Sequence, residues 1–88
     1  MLDWDRVSFV VRSRHREAVL RQLREGPQTP SGLAKRLNIS ISHASQLLSS
    51  LSTKGLVACL TPSAVRGRLY ALTKKGQEVL AHLSRPAQ

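Results

Sequence analysis

Residues 40–55 read S-I-S-H-A-S-Q-L-L-S-S-L-S-T-K-G, and the reading of this stretch decides the fold. Ile41, Ala44, Leu47, Leu48 and Leu51 recur at helical spacing, and at about 100° per residue they fall within roughly a third of the helix circumference. Such a stripe is expected to be buried. Away from it lie Ser42, Gln46, Ser49 and Thr53, flanked by His43, Ser45 and Ser50, a face of hydroxyls, one amide and one imidazole without a carboxylate. That face suits hydrogen bonding to a polar, anionic groove. Ser40 offers an N-cap oxygen and Gly55 a residue that tolerates the left-handed conformation, so both helix ends are marked.

Outward from this helix, charge is the most informative property. Fourteen Lys and Arg against five Asp and Glu give a formal net charge of +9 over 88 residues. The acids are Asp3, Asp5, Glu17, Glu25 and Glu78, so no carboxylate side chain stands between Gly26 and Gln77. Lys35, Arg36, Lys54, Arg66, Arg68, Lys74 and Lys75 occupy that span. A surface that only keeps a protein soluble intersperses the two signs, whereas a polyanionic partner explains why such self-repulsion is tolerated. A bilayer surface is anionic too, but no helix here joins a basic face to an exposed leucine- or aromatic-rich one, and no apolar run approaches the about 20 residues of a membrane span. No membrane partner is expected. The acids at Asp3 and Asp5 do not fit a basic-then-apolar signal peptide, which points to the cytoplasm. Cys59 is the single cysteine; it stands in an apolar run and is expected in the core, with no disulfide and no metal site.

The flanking elements follow from caps and periodicity. Residues 1–12, with Trp4, Val7, Phe9, Val10 and Val11, fit either a strand alternation or a short helix, and the helix reading is preferred. Ser13 caps a helix over residues 14–25, with Val19, Leu20 and Leu23 inward, and Gly26-Pro27 stops it. Thr29-Pro30 starts a short helix over 30–37. Ala34 is small where two helices must approach, and Ile39 is apolar in the turn before the 41–54 helix. Two short helices so joined form a helix-turn-helix. Residues 56–72 read as two apolar strand segments around T-P-S-A-V-R-G, a hairpin with a basic tip, and Thr73 caps a last helix over 74–83. The expectation is one mainly α domain spanning residues 1–88, with a two-stranded β wing and no room for an effector cavity.

The words T-P-S-G-L-A-K-R-L-N-I-S (29–40), S-H-A-S-Q-L-L-S-S-L-S-T-K-G-L-V (42–57) and G-R-L-Y-A-L-T-K-K-G-Q-E-V-L (67–80) carry a resemblance. The chain resembles the winged helix-turn-helix transcriptional regulators of the MarR and ArsR type, in particular the small basic versions found in archaea and their viruses, over roughly residues 13–81. The resemblance implies sequence-selective binding of double-stranded DNA by a homodimer, with residues 41–54 as recognition helix and 61–68 as wing. One departure stands out: similar helices often carry an arginine where this chain has Gln46, and acids where it has Ser49, Ser50, Ser52 and Thr53. Losing those acids removes repulsion from phosphate but lowers helix propensity.

Within that frame Gln46 is the candidate to read a base, since its amide can pair bidentately with adenine N6 and N7. Ser42 and His43, in the first turn, would meet a base edge or phosphate. Thr29, Ser31, Lys35, Arg36, Ser45 and Ser49 would hold the backbone, with Arg66 and Arg68 at the wing. Trp4 and Phe9 are free to serve a second subunit. The competing reading is a winged-helix adaptor for RNA, a ribosome or a protein, or a non-specific architectural DNA-binding protein. An enzyme is not supported: no nucleophile, base and orienter set, phosphate-binding glycine loop or cofactor motif is present.

Overall fold

The computed structural model describes residues 3–65 and 67–83. In chain order it has α1 (Trp4–Val11), α2 (Arg14–Leu23), α3 (Pro30–Leu37), α4 (Ile41–Thr53), β1 (Val57–Cys59), β2 (Tyr70–Leu72) and α5 (Lys74–Leu83). Asp3 caps α1 by accepting from the Asp5 and Arg6 amides, and the ambiguous first segment is helical because Val7 and Val10, three residues apart, both enter the core. α2 begins where the Ser13 hydroxyl accepts from the Arg16 amide at 3.3 Å. It ends two residues before position 25, because the Glu25 and Gly26 amides turn back onto the Gln22 and Leu23 carbonyls at 3.1 and 3.0 Å.

The two helices of the helix-turn-helix are set by their caps. Thr29 Oγ1 accepts from the Gly32 amide at 3.1 Å to start α3, and Asn38 closes it in the left-handed region at φ 56°. The Ile39 amide then donates to the Ala34 carbonyl at 3.0 Å, which folds half-buried Ile39 against the core. Ser40 Oγ accepts from the His43 amide at 3.0 Å and starts α4. At the other end Gly55, at φ +74°, donates to the Ser52 carbonyl while Leu56 donates to the Leu51 carbonyl, both at 2.9 Å. This is the Schellman pairing, and the fully buried Leu51 and Leu56 supply the apolar contact that accompanies it.

The core gathers Val10 of α1, Val19 and Leu20 of α2, Leu33 of α3, Leu48 and Leu51 of α4 and Val79 and Leu80 of α5, each almost wholly buried. Two expectations need correction. Ile41, assigned to the buried stripe, is 57% exposed. It lies about 70° from the centre of the arc made by Ala44, Leu47, Leu48 and Leu51 at 100° per residue, so it falls off the edge of that stripe. Cys59 is half-buried and stands outside the core cluster: it shares a face of β1 with buried Val57 but lies at the outer end of the ladder, opposite Tyr70.

The wing strands are shorter than the apolar runs that announced them. They pair antiparallel with Val57 opposite Leu72, Ala58 opposite Ala71 and Cys59 opposite Tyr70. Beyond the ladder, the Gln28 and Tyr70 backbones exchange two hydrogen bonds of 2.9 Å, so the segment entering α3 pairs with β2 and ties the wing base to the helix-turn-helix. Thr73 joins α5 to the end of α4: its hydroxyl donates to the Gly55 carbonyl at 2.6 Å and accepts from the Gly76 amide at 3.1 Å.

Candidate nucleic-acid interface

α4 leaves one arc open. Ser42, Ser45, Gln46, Ser49 and Thr53 are all exposed, a face of four hydroxyls and an amide; the Thr53 hydroxyl donates back to the Ser49 carbonyl at 3.0 Å. His43 is turned away from this arc. It is half-buried, and its ring packs against that of His15 on α2 with centroids 4.8 Å apart. At about 60° to 100° around the helix from Gln46 and Ser42, it faces α2 rather than the open side.

Between α4, the start of α3 and the wing runs a groove of about 600 Å³, and it brings together four of the residues assigned to the backbone, Thr29, Ser31, Ser45 and Arg68. Tyr70, which pairs with Gln28, is one of its lining residues. Among the polar groups of the groove, the Thr29 and Ser31 hydroxyls lie 3.4 Å apart at the start of α3, the positive end of the helix dipole, where a phosphate is favoured. Arg68 is exposed, and its Nε donates to the Ala64 carbonyl at 2.9 Å, which fixes the stem of the guanidinium across the wing loop. The loop is braced further where Thr61 Oγ1 accepts from the Leu69 amide at 3.0 Å. Arg66, the other wing arginine, lies outside the described residues.

Lys35 and Arg36 are exposed on α3, away from the groove lining, and Arg36 Nη1 donates to Gln22 Oε1 at 3.3 Å. Five groove residues had no place in the sequence-based set: Pro30, Ile41, Val65, Gly67 and Tyr70. Ile41 was hidden by its apparent membership of the buried stripe. Val65, 93% exposed, could have been noticed as the one bulky apolar residue in a basic loop. On the far side of the molecule Lys54 is occupied by Asp5 at 3.5 Å and by the Phe9 ring, and Phe9 is also covered by the Arg16 guanidinium, 3.7 Å from its centroid. Among the described residues no group of three or more His, Cys, Asp or Glu side chains could hold a metal ion, and no helix is long and apolar enough to cross a membrane.

Residues 4–87 match the family described as the HVO_A0261 N-terminal domain. The chain belongs to this family. Among curated proteins none matches it. The fold is shared with solved winged-helix regulators. The transcriptional regulator BldR from Sulfolobus solfataricus superposes with a TM-score of 0.72 at 28% identity, over 80% of this chain and 51% of that one. A variant of Lactococcus lactis ZitR gives 0.73 at 26% identity over 82% and 50%, and a protein described as a MarR family transcription regulator gives 0.70 at 25% over 78% and 47%. The family chain therefore spans about half the length of the structures it matches. The architecture of five helices and a two-stranded antiparallel sheet is that of the MarR-type winged helix, as the sequence resemblance implied, and these relatives are regulators rather than enzymes.

Proposed function

We propose that the chain binds double-stranded DNA as a transcriptional regulator, with α4 in the major groove and the wing against the adjoining backbone. The observation that carries this reading is the groove in which Thr29, Ser31, Ser45 and Arg68 converge beside the open hydroxyl and amide face of α4, inside a span free of carboxylates. Gln46 and Ser42 read base edges; Thr29, Ser31, Ser45, Ser49 and Arg68 hold phosphates and set register. Lys35, Arg36 and Arg66 add longer-range attraction. His43 braces α4 on α2 through His15, so that it orients the reading face instead of touching bases.

A homodimer suits the face formed by α1 and α5. Trp4 there is 64% exposed and stacks edge-on to His82 of α5 at 5.1 Å, which leaves most of an indole for a second copy. Two copies would present their α4 helices to half-sites about one helical turn, ~34–36 Å, apart. Such a regulator works in the cytoplasm.

Selecting duplexes from a random pool and measuring their affinity against scrambled duplexes and a structured RNA tests the reading. Enrichment of a common site, bound at least about 10³-fold tighter than scrambled duplex at fixed salt, supports it. Equal affinity for all duplexes would mean an architectural coat, and preference for the RNA would mean an adaptor.

A further inference from the structure

We infer that Ile41 reads thymine, its side chain meeting a C5 methyl group in the major groove on the wing-facing edge of α4, about 100° around the helix from Ser42 and about 140° from Gln46. The inference rests on the duplex-binding reading above. Ile41 is the first residue of α4 and is 57% exposed, although its branched side chain would be covered had it belonged to the core stripe. Isolated exposed apolar residues are ordinary on protein surfaces. Ile41 differs in its setting: the other open side chains of α4 are polar, the surrounding span carries no acid, and it shares a groove with Arg68. The partner that this charge attracts is a polyanion, and within the major groove of a duplex the thymine methyl is the apolar group on offer. A β-branched side chain in a helix is nearly confined to one rotamer, so the apolar surface is presented without further ordering. RNA lacks that methyl, and the same contact therefore favours DNA over RNA of equal sequence.

The test uses a duplex recovered by selection, a copy in which deoxyuridine replaces every thymine, and a set with single replacements. Removing the methyl leaves the Watson–Crick and groove hydrogen-bonding groups of the base unchanged. The parent protein is expected to bind about fourfold more weakly when the one contacted methyl is lost, the effect of uncovering a single such group. Ile41→Ala should bind the thymine and deoxyuridine duplexes alike, and Ile41→Val should keep the parent's preference; unchanged thermal unfolding certifies both variants as folded. A parent indifferent to every replacement, or an Ile41→Ala variant that keeps the parent's ratio, overturns the inference while leaving duplex binding in place. Failure of the parent to bind any duplex overturns both.

Discussion

Gly76 of α5 lies directly against the backbone carbonyl of Leu56, so closely that a Cβ at position 76 would collide with that oxygen and its carbon. The contact seats the first turn of α5 on the residue that leaves the α4 cap and enters β1, and with the Thr73 hydroxyl on the Gly55 carbonyl it fastens α5 to the end of α4. Gly76→Ala should therefore destabilise the fold by at least the upper end of the about 1–3 kcal/mol typical of overpacking, because the obstructing atoms are backbone. For a chain of this size each kcal/mol lowers the unfolding midpoint by about 4–8 °C. A drop of more than about 10 °C by calorimetry is expected, and an unchanged midpoint would mean that the helix is not seated there.

Asp3 gives a pH dependence. Its carboxyl is held below the usual carboxylate range chiefly by the Arg6 backbone amide; desolvation, the next largest effect, opposes this, and the Arg6 guanidinium and the Asp5 amide add to the lowering. A carboxyl with a lowered folded-state pKa stabilises the fold above its unfolded pKa, about 3.9, and that contribution is lost as pH falls through the lowered value. Asp3→Asn keeps a capping oxygen but removes the charge. The unfolding midpoints of parent and variant should differ near pH 7 and draw together as pH falls below the unfolded value of about 3.9; a gap that widens on acidification would reverse the sign and refute the assignment.

Assembly through α1 and α5 predicts that Trp4→Ala lowers the association constant without unfolding the chain, since Trp4 is mostly exposed. Sedimentation velocity over a range of concentrations should show the parent dimer dissociating at higher dilution than the variant dimer needs. Equal behaviour of the two proteins would place the subunit contact elsewhere.

Gln46 and Arg68 should fail differently. Gln46→Ala is expected to reduce discrimination at one base position by about 1–3 kcal/mol while leaving scrambled duplex bound as before. Arg68→Ala should weaken every duplex alike and reduce the slope of log affinity against log salt by about 1. Competition binding at several salt concentrations separates the two patterns, and a single pattern shared by both variants would contradict the division into reading and holding residues.

Much of the fold was legible because short-range chemistry specifies it. Ser13, Thr29, Ser40 and Thr73 each accept an amide as a cap, and Gly55 has the left-handed backbone that its position demanded. What was illegible depends on distant partners. Periodicity puts Ile41 near the apolar stripe, but at the first turn of α4 it remains mostly exposed. His43 follows the N-cap close to the residues of the open arc but lies to the side of it, where His15 of α2, distant in sequence, packs against its ring. The pairing of Gln28 with Tyr70 spans 42 residues of chain and ties the wing base to the start of α3, yet neither residue carries a strand signature that pairs them. Local signals mark where elements start and stop; the site lies in the space between elements.

The most direct measurement is a map of backbone amide chemical shifts while the protein is titrated with a selected duplex. The largest changes are expected at Thr29 and Ser31, along Ile41, Ser42, Ser45, Gln46 and Ser49, and at Val65, Gly67 and Arg68, with β1 and the outer face of α1 nearly unchanged. Perturbations centred on α1 and α5, with α4 and the wing silent, would contradict the assignment of this groove and helix face to DNA.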